Sequence, residues 1–189
     1  MIALIFDTET TGIPSHPDAK MSVQPHTIEF GGMLVNEENE IIDTLELLIK
    51  PPKTFTGTAI KGDKLLDWAG IERISGITQD DLADCPEFFE VADQIRDFFA
   101  RADTLIGHNL PFDKGMIELD LKRAGITDWP WPEREICTVQ EHFEEFGRRM
   151  KLLQLFEHYT GTPLEQTHRA LDDAKATFIV CAMSGVLRK

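Results

Sequence analysis

The chain has 189 residues, 33 of them acidic against 19 basic, for a formal net charge of −14. That length suits one domain, residues 1–189, with a sizeable core. The acidic balance argues against a broad, non-specific grip on nucleic acid, which leaves a basic footprint, and no apolar run nears the ~20 residues of a membrane span.

The first element is the apolar run of residues 2–6, which reads as a strand buried on both faces. It is too short for a signal-peptide core and no basic segment precedes it, so the expected location is the cytoplasm, away from membranes. Residues 13–26, with three prolines, two histidines and Asp18, read as a loop. Residues 27–35 are strand-like, and Gly31-Gly32 marks a close backbone approach or a bulge. A polar turn at 36–40 leads to a third strand, 41–49, stopped by Pro51-Pro52. Residues 50–64, carrying Lys50, Lys53, Lys61 and Lys64, read as a solvated loop.

Thr78 is placed to cap a short helix that Pro86 ends. Apolar residues at 88, 91, 92, 95, 98 and 99 have the spacing of a helix over 87–101. Residues 104–107 make a short strand. A helix over 111–124 follows, with Pro111 at its start and Gly125 just past its end. Trp129 and Trp131 lie in a rigid Pro-rich loop, where capping a core edge is the expected role and base stacking the alternative. A last strand at 135–139 and helical stretches at 139–146 and 151–159 precede a final helix over 169–187, with a core stripe of Leu171, Ala174, Phe178 and Cys181. The order β-β-β-α-β-α-β-α points to an α/β domain with a mixed sheet. Cys85, Cys137 and Cys181 are scattered and odd in number, as expected of reduced thiols.

Three polar segments interrupt this scaffold. Asp7 and Glu9 follow the first apolar run two residues apart, so an extended chain projects them from one side. Two like charges so placed need solvent or a cation, and an oxygen-only donor set suits Mg2+ or Mn2+. Asp113 falls in the first turn of the helix begun by Pro111, where it complements the helix dipole. It also arrives near Asp7 if the strand ending at Gly107 runs beside the first. His168 and the pair Asp172-Asp173 open the last helix, and a histidine beside a metal site is a good general base. On an ideal helix Asp172 lies about 40° round from His168 and Asp173 about 140°, so strictly helical geometry pairs His168 with Asp172. A His168 placed on the loop before the helix escapes that geometry.

Taken together, Phe-Asp-Thr-Glu-Thr-Thr-Gly at 6–12, Asn-x-x-Phe-Asp at 109–113 and His-x-Ala-x-x-Asp at 168–173 resemble the DEDDh 3′→5′ exonucleases, the family of the bacterial polymerase proofreading subunit. The Ile-Ser-Gly-Ile-Thr segment at 74–78 is similar to the same group. The resemblance implies the ribonuclease H-like fold, a five-stranded mixed sheet flanked by helices. It implies that Asp7, Glu9, Asp113 and Asp173 hold two divalent cations, Mg2+ or Mn2+, and that His168 activates the attacking water. Asp173, not Asp172, is then the ligand. Thr8, Thr10, Thr11, Gly12, His108, Asn109 and Phe112 are expected to meet the terminal nucleotide. The implied partner is a nucleic acid with a 3′ end, single-stranded DNA in preference to RNA. DNA-replication or repair proteins are partners of the same context. The chain runs only a short way past the last motif, so no polymerase-tethering extension is expected. The alternatives are an RNA 3′-trimming enzyme of the same family and a catalytically silent binding module.

Overall fold

The apolar opening run becomes the middle strand of a five-stranded sheet. The structure, a computed structural model, describes residues 1–16, 19–61, 64–165 and 167–188. The loop expectations at Asp18 and at residues 62–63 fall outside that description.

Strand β1 (Ile2–Thr10) pairs antiparallel with β2 (Thr27–Asn36), which pairs antiparallel with β3 (Ile41–Leu48). On its other side β1 runs parallel to β6 (Thr104–Gly107), and β6 parallel to β7 (Arg134–Cys137). The order β3-β2-β1-β6-β7 is the expected mixed sheet. A small hairpin of β4 (Thr58–Lys61) and β5 (Lys64–Leu66) stands apart from it.

Alternation along β1 sorts its side chains into two layers. Leu4 and Phe6 pack with Phe30 and Leu34 against α3 (Phe88–Ala100) and α4 (Leu110–Ala124). Phe6 stacks on Phe30 at 5.8 Å and meets the edge of Phe99 at 5.5 Å. Burying one such ring contributes roughly 1.5–3 kcal/mol. Ala3 and Ile5 face the other way, with Met33 and Val35, onto Cys181 of α8 (Ala170–Ser184). Among the described residues no helix is long and apolar enough to cross a membrane.

The helical spacing read over 87–101 is the buried face of α3, residue for residue. Thr78 caps α2 (Gln79–Leu82) in a reciprocal box with Asp81, and Gly125 closes α4 with φ +69°. Gly31 meets its expectation most sharply: a Cβ there would lie 2.1 Å from the Leu171 backbone nitrogen, so only glycine lets α8 sit on β2.

Several expectations need correction. Residues 50–64 are not all loop, since β4 begins at Thr58. Helix α1 (Trp68–Ser75), capped by the Asp67 carboxylate accepting from Gly70 N–H at 3.0 Å, went unread because it is short and only one of its faces is buried. β7 ends at Cys137, and Val139 belongs to α5 (Thr138–Glu141), followed by α6 (Phe143–Phe146) and α7 (Leu152–Thr160). The single core stripe assigned to the last helix is too narrow. α8 is covered by the sheet on one side and by α7 on another, so Ala176 and Val180 are buried as well, while Leu171 and Phe178 are only half-buried. Trp129 and Trp131 set their rings on Phe99 at 5.5 and 5.2 Å, the core-edge role.

Candidate active site

The pleat that sends Ala3 and Ile5 toward α8 sends Asp7 and Glu9 the same way, and they lie within β1 rather than beyond its end. Asp173, in the first turn of α8, meets them: the three residues each offer a carboxylate oxygen within 4.8 Å of the others. Thr8 points to the opposite face. Its N–H and its hydroxyl both donate to Asp113 Oδ1, at 3.0 and 2.7 Å, which brings the first turn of α4 against the same point of β1. Asp113 is 2% exposed and stands beside the trio rather than inside it.

Burial and mutual repulsion raise the pKa values of these acids. Loss of hydration, then the nearby charges of Asp173 and Glu29, push Glu9 up to about 8. Asp7 is raised well above the carboxylate range, first by burial and then by Asp113, Asp173 and Glu9. Burial raises Asp113 too, against the pull of its bonds from Thr8. An all-carboxylate donor set that ionises reluctantly on its own fits a hard divalent cation, which would remove the repulsion.

His168 lies two residues before α8, exposed, with φ +52°. It therefore sits on the preceding loop, where helical angles do not apply. Asp172 turns away from the trio: its Oδ1 accepts from Lys175 Nζ at 3.0 Å and its Oδ2 from the Thr167 hydroxyl at 2.9 Å.

The residues expected to meet a nucleotide divide. Thr10 is half-buried, its hydroxyl bonded to the Gly12 carbonyl at 2.8 Å. Phe112 and Asn109 are half-buried at the start of α4, Asn109 with φ +66° and its Oδ1 accepting from Arg149 Nη2 at 2.7 Å. His108 shares a 2.8 Å hydrogen bond with the Thr138 hydroxyl, and burial lowers its pKa to about 4, so it is neutral at physiological pH. The hydroxyls of Thr11 and Thr8 are engaged within the protein. Thr11 is fully buried, tied to the Thr58 hydroxyl at 2.9 Å and to His26 N–H at 2.9 Å, so it braces the turn. The Thr8 hydroxyl is spent on Asp113.

Sequence reading missed Glu29. It is 0% exposed, directly across the β1–β2 ladder from Glu9. Its Oε1 accepts from Arg169 Nε at 2.8 Å and its Oε2 from the Ala170 N–H at 2.9 Å. One carboxylate thus clamps the residue after His168 and closes the N-terminus of α8. The signal was an acid inside an otherwise apolar strand, since buried acids are rare unless paired.

A family model described as RNase_T, exonuclease, matches residues 4–181. The PolC-type DNA polymerase III of Bacillus cereus is 27% identical over 188 residues, covering 98% of this chain and 12% of that protein. That of Clostridium perfringens is 28% identical over 174 residues, covering 92% of this chain and 10% of its own length. The chain thus spans about a tenth of the length of these relatives. Among solved structures, a 3′-exonuclease described as recognising the 3′ end of the histone mRNA stem-loop superposes with a TM-score of 0.74 at 18% identity, covering 99% of this chain and 64% of that one. The nuclease domain of 3′hExo, described as a DEDDh family member bound to rAMP, gives 0.70 at 19% identity, covering 99% and 92%. E. coli exonuclease I solved with a dA16 oligonucleotide gives 0.70 at 18% identity, covering 98% and 42%. The common architecture is ribonuclease H-like.

Proposed function

This chain belongs to the RNase_T exonuclease family, and from that membership we propose that it is a metal-dependent 3′→5′ exonuclease of the DEDDh type. It hydrolyses the terminal phosphodiester of single-stranded DNA and releases nucleoside 5′-monophosphates. The observation that carries this reading is the meeting of Asp7, Glu9 and Asp173 within 4.8 Å, with Asp113 pinned alongside by Thr8.

Asp7, Glu9, Asp113 and Asp173 would hold two divalent cations, Mg2+ or Mn2+, which would supply Lewis acidity toward the phosphate. His168, free of helical constraint on its exposed loop, takes the proton of the attacking water. Phe112 and the turn at Thr10-Gly12 receive the terminal nucleoside. A single strand suits the site because its last base must be splayed out of any stack. The curated relatives are DNA polymerases, which supports DNA and a replication or repair setting. RNA is the second reading, favoured by the fold likeness to the histone-mRNA 3′-exonuclease.

The test is side-by-side digestion of 5′-labelled DNA and RNA of one sequence with Mg2+, with and without chelator. The expected result is a stepwise ladder on DNA that chelator abolishes. A label released first as a mononucleotide reverses the polarity. Full turnover in excess chelator removes the cations from the mechanism, and faster digestion of RNA selects the second reading.

A further inference from the structure

The carboxylate site opens into a cleft of about 580 Å³ that runs from Asp7 and Asp173 past His108 and Asn109 to Arg149, Lys151 and Leu152. Its cationic lining comes from one short stretch. Residues 148–151 read Arg-Arg-Met-Lys, three positive charges in four positions of a chain whose net charge is −14. Met150 and Leu152 are buried and fix the backbone there, while Arg149 and Lys151 are exposed. Arg149 donates to Asn109 Oδ1 at 2.7 Å, so its guanidinium reaches across the cleft to the start of the helix that carries Asp113. His108, neutral in its buried setting, supplies no charge.

We infer that Arg149 and Lys151 anchor the backbone phosphates of the substrate strand upstream of the scissile bond. The inference rests on the exonuclease reading and extends it. Cations held at the carboxylates would offset the charge of the phosphate that is cut. They do nothing for the phosphates behind it, which enter a strongly acidic protein and need fixed positive charge along their path. Arg149 and Lys151 are the cations that line this cleft, placed beside the reaction and not within the carboxylate cluster. A guanidinium whose bond among the described residues is to Asn109 keeps further N–H donors for a phosphate oxygen. Contacts of this kind carry no base preference, as an exonuclease that removes every nucleotide in turn requires.

The experiment measures kcat and KM for the wild type, Arg149→Ala, Lys151→Ala, the double variant and the charge-keeping Arg149→Lys, on an unphosphorylated dinucleotide and a 12-mer, across a salt series. A dinucleotide has a scissile phosphate and nothing upstream. The expected result is a rise in KM on the 12-mer for each alanine variant, with kcat/KM penalised about tenfold more on the 12-mer than on the dinucleotide in the double variant. Each lost contact should also flatten the slope of log(kcat/KM) against log salt by about 0.7. Arg149→Lys should keep most of the slope. Equal losses on both substrates with an unchanged slope would show that Arg149 acts only by bracing Asn109, and would overturn the anchor while leaving the exonuclease standing. A wild type that shortens no oligonucleotide overturns the exonuclease reading, and the anchor with it.

Discussion

Glu9 and Asp7 illustrate what half-buried acids crowded together do to their own fold. Without a cation their folded-state pKa values lie above the unfolded value, Glu9 at about 8, so the folded chain binds more protons than the unfolded one. Stability then falls as pH rises toward the folded pKa. His26 acts in the opposite sense, held down to about 3 by burial and by Arg123, but its contribution is complete above the unfolded histidine value. Between about pH 6.5 and 8 the carboxylates therefore govern the slope. The metal-free protein should show a Tm that drops across this window, and Mg2+ should raise Tm more at the alkaline end. Asp7→Asn should stabilise the metal-free form, because it removes one of the repelling charges. A Tm independent of pH and of Mg2+, followed by scanning fluorimetry, would contradict the assignment of these acids to a cation. His168 separates cleanly from stability. Being exposed, it should tolerate alanine within about 0.5 kcal/mol, while turnover drops by roughly 10²–10⁴ if it is the general base. An unchanged rate would leave the water to be activated without it.

At the scale of elements, the site is a junction between β1 and the first turns of α4 and α8. Gly31 and Glu29, neighbours but one on β2, seat α8 there. Gly31→Ala would place a methyl group inside the Ala170–Leu171 backbone, so α8 must shift. The expected cost is about 1–3 kcal/mol, the range for overpacking, with near-complete loss of activity because Asp173 and His168 move together. Glu29→Gln keeps the shape but weakens the charge-assisted bonds to Arg169 and Ala170, for about 1–3 kcal/mol. Urea unfolding and rate measurements on both variants check this. A Gly31→Ala enzyme of normal activity would mean that α8 does not need this seat. Much of the junction was legible in the sequence. Period-two alternation put Asp7 and Glu9 on one side, and the glycine pair announced a close approach. The clamp was not legible, because nothing local to Glu29 says that a helix 140 residues later will bring an N–H and a guanidinium to it. Short elements escaped for a related reason. α1 has 8 residues and one buried face, too little periodicity to stand out from a loop.

Across the whole molecule, long-range pairing decides what composition could only bound. Negative charge is spread along the chain, yet the carboxylates that cluster are gathered from β1, α4 and α8, while the cationic side chains lining the adjoining cleft come from the turn before α7. Seating α8 has a consequence in time as well as in space. Asp7 lies in β1 and Asp173 in α8, so protein synthesis delivers Asp7 well before Asp173. A chain still on the ribosome, with β1 through β7 emerged, has Asp7, Glu9 and Asp113 but neither His168 nor Asp173. On the proposed reading, such a nascent chain gains activity only once α8 docks. Any fragment cut short before that helix is disarmed in the same way. On the proposed reading, the order of elements along the chain thus delays assembly of the active site until α8 has been made.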